Sequence, residues 1–194
     1  LDAEGFMAKL LGEFPKLEKI VVGYDFHFGK DRCYNFDDLH DLFRGEVEVI
    51  SEVKIDDDSV HSHKIRAKLQ IGDIRGANRF LGYNYTVLGE KVAGQGLGQK
   101  KLFATVNIDV KGSLLPKEGV YVTTARLNDE EHYHPAVSFV GHRVTTDGTF
   151  AVETHILDGE VFEVEKLRLS FVDFIRPNQK FDDLESLKEA IADD

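Results

Sequence analysis

The sequence predicts an α/β segment followed by an antiparallel β-structure of barrel or sandwich type. Two observations carry that expectation. Before Gly82, apolar stripes at helical spacing alternate with short apolar runs in the order α, β, α, β, α, the rhythm of a parallel sheet with covering helices. After Gly82, six short alternating runs follow one another, separated by glycine, proline and aspartate turns. A third observation sets the scale: 194 residues suffice for one good core or two small ones.

Taken in order, Phe6, Leu10, Leu11 and Phe14 recur at helical spacing, and Pro15 ends that helix. Lys19 to Tyr24 reads as a buried strand running into the loop GYDFHFGKDR. Phe36, Leu39, Leu42 and Phe43 mark a second helix, closed by Gly45. Glu46 to Ile55 alternates as a strand. Ser62 through Leu81 reads as one or two helices broken at Gly72 and Asp73. The six later runs are YTVLGEKVAG, KLFATVNIDV, GVYVTTARL, HPAVSFVG, TFAVETHILD and EKLRLSFVDFIR. In the last of these the apolar face slips phase between Phe171 and Val172, as a bulge would cause. Phe181, Leu184, Leu187 and Ile191 form a closing helical stripe. A domain boundary is expected near Gly82 and Tyr83, giving 1–82 and 83–194.

The net charge of −11, with no long lysine or arginine cluster, disfavours a nucleic-acid partner and an anionic membrane surface. The single cysteine, Cys33, precludes a disulfide within the chain and fits a reducing cytoplasm. No apolar run is long enough to span a bilayer, and the first residues do not read as a signal peptide.

Several stretches carry groups suited to chemistry. GQGLGQKK places Gly94, Gly96 and Gly98 ahead of Lys100 and Lys101; its backbone could approach phosphates closely, or the stretch is a flexible hairpin loop. In KLFATVNI, alternation puts Phe103, Thr105 and Asn107 on the face opposite Leu102, Ala104, Val106 and Ile108. The hydroxyl and amide are hard donors suited to magnesium or phosphate, and equally at home on a solvent-facing strand. In TFAVETHILD, Glu153 and His155 share a face as an acid/base pair or as an exposed pair. Two alternate histidine pairs, His61 with His63 and His132 with His134, have metal-ligand spacing, but no third or fourth ligand is evident. Asp56 to Asp58 lacks calcium-loop spacing and reads as a solvated turn.

In this order the motifs resemble those of the bacterial bifunctional riboflavin kinase/FAD synthetase family, over nearly the whole length. GYDFHFGKDR is similar to the family's GxDFxFG loop, and HSHKIR to its SSTxIR stretch, matching at Ser62, Ile65 and Arg66. GDIRGANRFLGYNY is similar to the helix and linker between the two domains. GQGLGQKKLFATVN resembles the kinase's glycine-rich flap and P-T-A-N signature; VETHILD resembles the strand bearing its catalytic glutamate; FIRPNQKFDDLESLKEAI resembles its flavin-side loop and closing helix.

The resemblance implies a Rossmann-like nucleotidyltransferase segment, then an antiparallel Greek-key barrel with a C-terminal helix. It implies ATP-dependent phosphorylation of riboflavin to FMN, with Mg2+ as cofactor. The implied roles are Glu153 as base; Gly94, Gly96, Gly98, Lys100, Thr105 and Asn107 on ATP phosphates, with Thr105 and Asn107 also on the metal; and Arg176 at the flavin. Asp25, Phe28, Gly29, Ser62 and Arg66 match the adenylyltransferase site. No stretch resembles that domain's opening GxFDGxHxGH loop, so FAD synthetase activity is expected only of a full-length protein. The chain departs from the family at Leu102, Ala104, Val106, Phe139, Val144 and His63. Those departures sustain a rival expectation, a non-catalytic flavin- or nucleotide-binding module. The expected partners are small molecules, and the expected state is a monomer or weak oligomer.

Overall fold

The structure, a computed structural model, describes residues 1–94, 105–145, 147–158, 163–181, 186 and 189–190. The chain packs as two compact units, Leu1–Val60 and His61–Asp194.

In the first unit, α1 (Ala3–Glu13) starts where the Asp2 carboxylate accepts from the Gly5 amide at 2.8 Å. Its core-facing stripe is Ala3, Phe6, Met7 and Leu10; Leu11 and Phe14, expected on that stripe, are exposed. Strand β1 (Lys19–Gly23) is followed by α2 (Phe36–Leu42), which opens with an Asn35/Asp38 capping box. Strand β2 (Glu46–Ile50) lies parallel to β1, with Lys19 opposite Glu46 and Gly23 opposite Ile50. The strand expected over Glu46–Ile55 thus ends early. Lys54–Ile55 (β3) turns back on Asp58–Ser59 (β4) through Asp56 and Asp57, both at positive φ. Aspartate tolerates that conformation better than most side chains, so the acidic run makes a turn. Met7, Val22, Phe28, Leu39 and Phe43 form the core of this unit.

The second unit opens with α3 (Ser62–Ile71) and α4 (Ile74–Leu81). The break between them falls at the two residues the sequence marks. Gly72 sits at φ +86, the left-handed cap that glycine adopts without penalty, and Asp73 caps α4 by accepting from the Gly76 amide at 2.9 Å.

Six strands follow: β5 (Thr86–Val92), β6 (Thr105–Asp109), β7 (Gly119–Leu127), β8 (His134–His142), β9 (Phe150–Ile156) and β10 (Lys166–Pro177). They close into an antiparallel barrel in the order β10-β5-β6-β9-β8-β7. β9, not β7, lies beside β6, which is the crossing that gives the barrel its Greek-key character. Alternation sends Val106, Ile108, Val152, Leu167, Leu169 and Phe171 into the interior. Three buried hydroxyls also point inward, Thr123, Ser138 and Thr154, linked at 2.8 and 2.9 Å, so each is satisfied by its neighbour. The phase slip in the last strand is real. The β10–β7 register shifts between Phe171 and Asp173, and again between Phe174 and Arg176.

Leu69, Ile74 and Ala77 from the two helices join the barrel core. Asn78 stitches α4 down: its Nδ2 donates to the Phe171 carbonyl at 2.8 Å, and its Oδ1 accepts from the Tyr85 amide at 2.7 Å. The change of rhythm at Gly82 and the packing division after Val60 therefore fall at different places. Among the helix expected over FDDLESLKEAI, residues 182–185, 187–188 and 191 lie outside the described residues.

Candidate functional site

The polar groups singled out on β6 and β9 stand on the outer wall of the barrel, because their neighbours Val106, Val152 and Thr154 take the interior. Pairing of these two strands puts Asn107 opposite Glu153 and Thr105 opposite His155. Two stretches 46 residues apart in sequence number thus supply one patch (153 − 107).

Arg143 organises the patch. Its Nε donates to Glu153 Oε1 at 2.6 Å, its second terminal nitrogen donates to Asn107 Oδ1 at 2.7 Å, and its first donates to Thr149 Oγ1 at 2.8 Å. Asp147 lies 3.6 Å away and adds a second carboxylate. The planar guanidinium has five N–H donors in a fixed fork, which a lysine could not reproduce. The loop carrying Arg143 is locked before the side chain leaves it. The Arg143 amide donates to the Thr149 carbonyl at 2.9 Å, the Gly148 amide donates back to the Arg143 carbonyl at 3.1 Å, and Asp147 accepts from both Thr149 groups. No motif or spacing in the sequence singles out Arg143. The available signal is a positive charge four residues ahead of a DGT turn and ten residues before Glu153.

Asn107 is buried although it faces outward. Arg143 covers its oxygen, and Gly94 lies against its nitrogen: a Cβ at position 94 would stand 2.5 Å from Asn107 Nδ2. Any larger residue at position 94 would force the Asn107 amide to shift. Thr105 is exposed, with its hydroxyl on the same wall. Hydroxyl, amide oxygen and carboxylate are hard donors of the type magnesium prefers; the Thr105 hydroxyl is exposed, while Asn107 Oδ1 and Glu153 Oε1 also accept from Arg143. Gly96, Gly98, Lys100, Leu102 and Ala104 lie outside the described residues.

The same loop reaches the other expected element. The Thr145 hydroxyl accepts from the Phe181 amide at 3.2 Å, and the Arg176 guanidinium lies over the Phe181 ring at 5.7 Å. Beside them Asn178 donates to the His142 carbonyl at 2.7 Å, and Glu118 accepts from the His142 amide at 3.1 Å. That backbone bond, with the His142 ring and Asn178 adding to it, holds the Glu118 carboxyl below its usual range despite partial desolvation. The Arg143–Thr149 segment and its immediate neighbour His142 thus touch both the Glu153/Asn107 patch and the Arg176–Phe181 stretch.

The residues matched to an adenylyltransferase site fall on both units. In the first, Phe28 is a core residue stacked on Phe26 and tilted against Phe6 and Tyr34, and Gly29 sits at φ +72 directly against the Tyr34 ring. Asp25 stands in the turn after β1, where its carbonyl meets His27 Nδ1 at 2.9 Å. Ser62 and Arg66 stand on α3, in the second unit.

Fold and site together define a small closed antiparallel barrel with a charge-paired, hydroxyl- and amide-bearing patch on its wall, preceded in the chain by an α/β unit. The chain belongs to the riboflavin kinase family: the riboflavin kinase family model matches residues 81–194, and an FAD synthetase model matches residues 1–64. Similar proteins include the bifunctional riboflavin kinase/FMN adenylyltransferase of Pseudomonas fluorescens, 32% identical over 98% of this chain and 63% of that protein. The protein of that description from Listeria monocytogenes is 32% identical over 88% of this chain and 56% of its own length. The chain therefore spans less than two thirds of these relatives. Among solved structures, a macrolide-efflux protein from Streptococcus pneumoniae superposes with a TM-score of 0.81 at 28% identity, over 100% of this chain and 64% of that one. Among the described residues no helix is long and apolar enough to cross a membrane.

Proposed function

We propose that the barrel phosphorylates the 5′-hydroxyl of riboflavin with ATP, giving FMN and ADP. The observation that carries this reading is one guanidinium, Arg143, holding Glu153 and Asn107 side by side on the wall of a riboflavin kinase-family barrel. Phosphoryl transfer asks a protein mainly for positioning and charge stabilisation, and such a patch supplies both.

In this reading Glu153 accepts the hydroxyl proton as the riboflavin oxygen bonds to the γ-phosphorus and the bond from that phosphorus to the β–γ bridging oxygen breaks. Arg143 fixes the carboxylate and contributes positive charge beside the transferring group. Thr105 and Asn107 would hold Mg2+, which neutralises charge on the triphosphate. Gly94, Gly96 and Gly98, with Lys100, would lie along the phosphates, and Arg176 would close the flavin side. Functionally the chain divides at Gly82, with 83–194 as the kinase and 1–82 as the C-terminal part of an FMN adenylyltransferase domain that includes Asp25, Phe28, Gly29, Ser62 and Arg66. The reaction is assigned to the cytoplasm, and the protein to a monomer or weak oligomer.

The test is incubation of this chain with riboflavin, ATP and MgCl2, followed by chromatographic separation of the flavins. Formation of FMN supports the reading; tight riboflavin binding without any FMN overturns it.

A further inference from the structure

The hairpin between β7 and β8 and the end of β9 carry a second constellation, which the proposed phosphoryl transfer does not use. His132 and His134 flank Tyr133 in the alternate spacing that sends both rings the same way. Sequence alone offers them no third ligand. The barrel does: β8 and β9 pair with Ala136 opposite Ile156, and the Leu157 amide donates to the Pro135 carbonyl at 2.9 Å, so Asp158 arrives beside His134. The His134 Nδ1 lies 2.9 Å from Asp158 Oδ1, and the His132 Nε2 lies 3.9 Å from Asp158 Oδ2. One donor atom from each of the three residues lies within 4.8 Å of the others. The two rings meet edge to face at 4.7 Å, so the histidines already converge.

The remaining nitrogen of His134 is also placed. Its Nε2 lies 3.2 Å from Glu130 Oε2. A histidine that ligates a metal through one nitrogen commonly donates its other N–H to a carboxylate, which fixes the tautomer and the ring plane. Glu130 stands where such a partner stands. His134 is the least exposed of the group, 19% at its side chain, while His132 at 68% and Asp158 at 45% are free to swing. Four-coordinate zinc with bonds of about 2.0–2.2 Å needs donors about 3.3 Å apart. The donor atoms, now within 4.8 Å of one another, must therefore draw closer on binding, and the two more exposed side chains are the ones placed to move.

We propose that His132, His134 and Asp158 form a binding site for a divalent transition-metal ion of the zinc class, with Glu130 orienting His134 and one coordination position left open to water. The donor set of two imidazoles and one carboxylate suits zinc, cobalt or nickel and is unsuited to magnesium, which takes oxygen ligands. The site is separate from the Arg143 patch. Ile156, the last residue of β9, lies three residues beyond Glu153, about 10 Å along the strand, and Asp158 follows two residues later.

The experiment is titration of the metal-free protein with ZnCl2 by calorimetry, and with CoCl2 by visible absorption, both without nucleotide or flavin. One equivalent should bind, and the cobalt form should show the intense d–d bands of a low-coordinate site. His134→Ala and Asp158→Asn should each weaken binding by about 10–100-fold or more, and Glu130→Gln should weaken it less. The His61→Ala/His63→Ala double variant removes the other histidine pair and should leave binding unchanged. His132→Ala, altering the most exposed ligand, should repeat the loss with an unchanged melting curve, which separates ligand loss from unfolding. Absence of zinc binding by the unaltered protein overturns the proposal. So does binding that survives His132→Ala and Asp158→Asn, or that is lost with His61 and His63.

Discussion

In the proposed phosphoryl transfer Glu153 takes the hydroxyl proton, and that role can be tested residue by residue. A primary alcohol is a very weak acid and needs an acceptor within hydrogen-bond reach as it attacks. Glu153→Gln keeps the shape and one acceptor oxygen but removes the charge that Arg143 pairs at 2.6 Å. Turnover should fall by about 100-fold or more, the range for losing a positioned base, with riboflavin affinity little changed. Steady-state kinetics of FMN formation beside direct flavin binding make the check. His155→Ala should be the milder lesion; a dead His155→Ala beside an active Glu153→Gln would show the base misassigned. Arg143→Lys retains a positive charge but cannot reach Glu153, Asn107 and Thr149 together. Its activity should drop by about 10–100-fold, as losses of orienting partners do. Wild-type turnover in Arg143→Lys would reduce the fork to a structural tie. Thr105→Ala removes an exposed hydroxyl beside a buried amide and should weaken use of magnesium and ATP by about 10–100-fold while sparing riboflavin binding. A rate unaltered at limiting magnesium would remove Thr105 from the metal.

At the scale of elements, the α3–α4 corner turns on two residues, and both are testable. Asp73 caps α4 through the Gly76 amide and receives a 2.9 Å hydrogen bond from Lys68. Asp73→Ala should cost about 1 kcal/mol, the usual worth of an N-cap, read as a lower denaturant midpoint with an unchanged slope. Gly72→Ala meets no collision, since the nearest side-chain atom to an added Cβ is Phe174 Cδ2 at 3.4 Å. Its cost comes from φ +86 alone and should be about 1 kcal/mol. Elements were the level at which sequence reading worked best. The six barrel strands, the break at Gly72 and the bulge after Phe171 follow from alternation and turn chemistry, which are local. The strand over Glu46–Ile55 is in fact two: β2 stops at Ile50, and Lys54–Ile55 pairs instead with Asp58–Ser59, because period-2 alternation does not report which partner strand a residue meets.

For the whole molecule, acid should act on the second unit through carboxyls that folding holds ionised. The Lys68 hydrogen bond lowers the Asp73 pKa, against partial burial, and the Gly76 amide assists; the His142 amide lowers that of Glu118. A folded pKa below the unfolded one means the unfolded chain binds more protons in acid. The stabilisation is therefore complete above the unfolded carboxyl values, about 4, and is lost as pH falls through the lowered folded values. Melting temperature should hold level near neutrality and decline below about pH 4, with a shallower decline in Asp73→Asn. An identical acid profile in Asp73→Asn and wild type would show that Asp73 carries none of the linkage.

The amino-acid sequence by itself determined the elements, the faces of their strands and the family, because backbone periodicity, caps and ordered motifs are written in consecutive residues. It put Thr105 and Asn107 on one strand face and Glu153 on another without saying that these faces adjoin. The closed barrel decided that, by pairing β6 with β9 so that Asn107 stands opposite Glu153. It also decided that Arg143 reaches across to both, that Asp158 joins His132 and His134, and that α3 and α4 complete the barrel core. The physical reason is common to all four. Strand pairing and core burial bring together residues tens of positions apart, and no local period records which ones will meet.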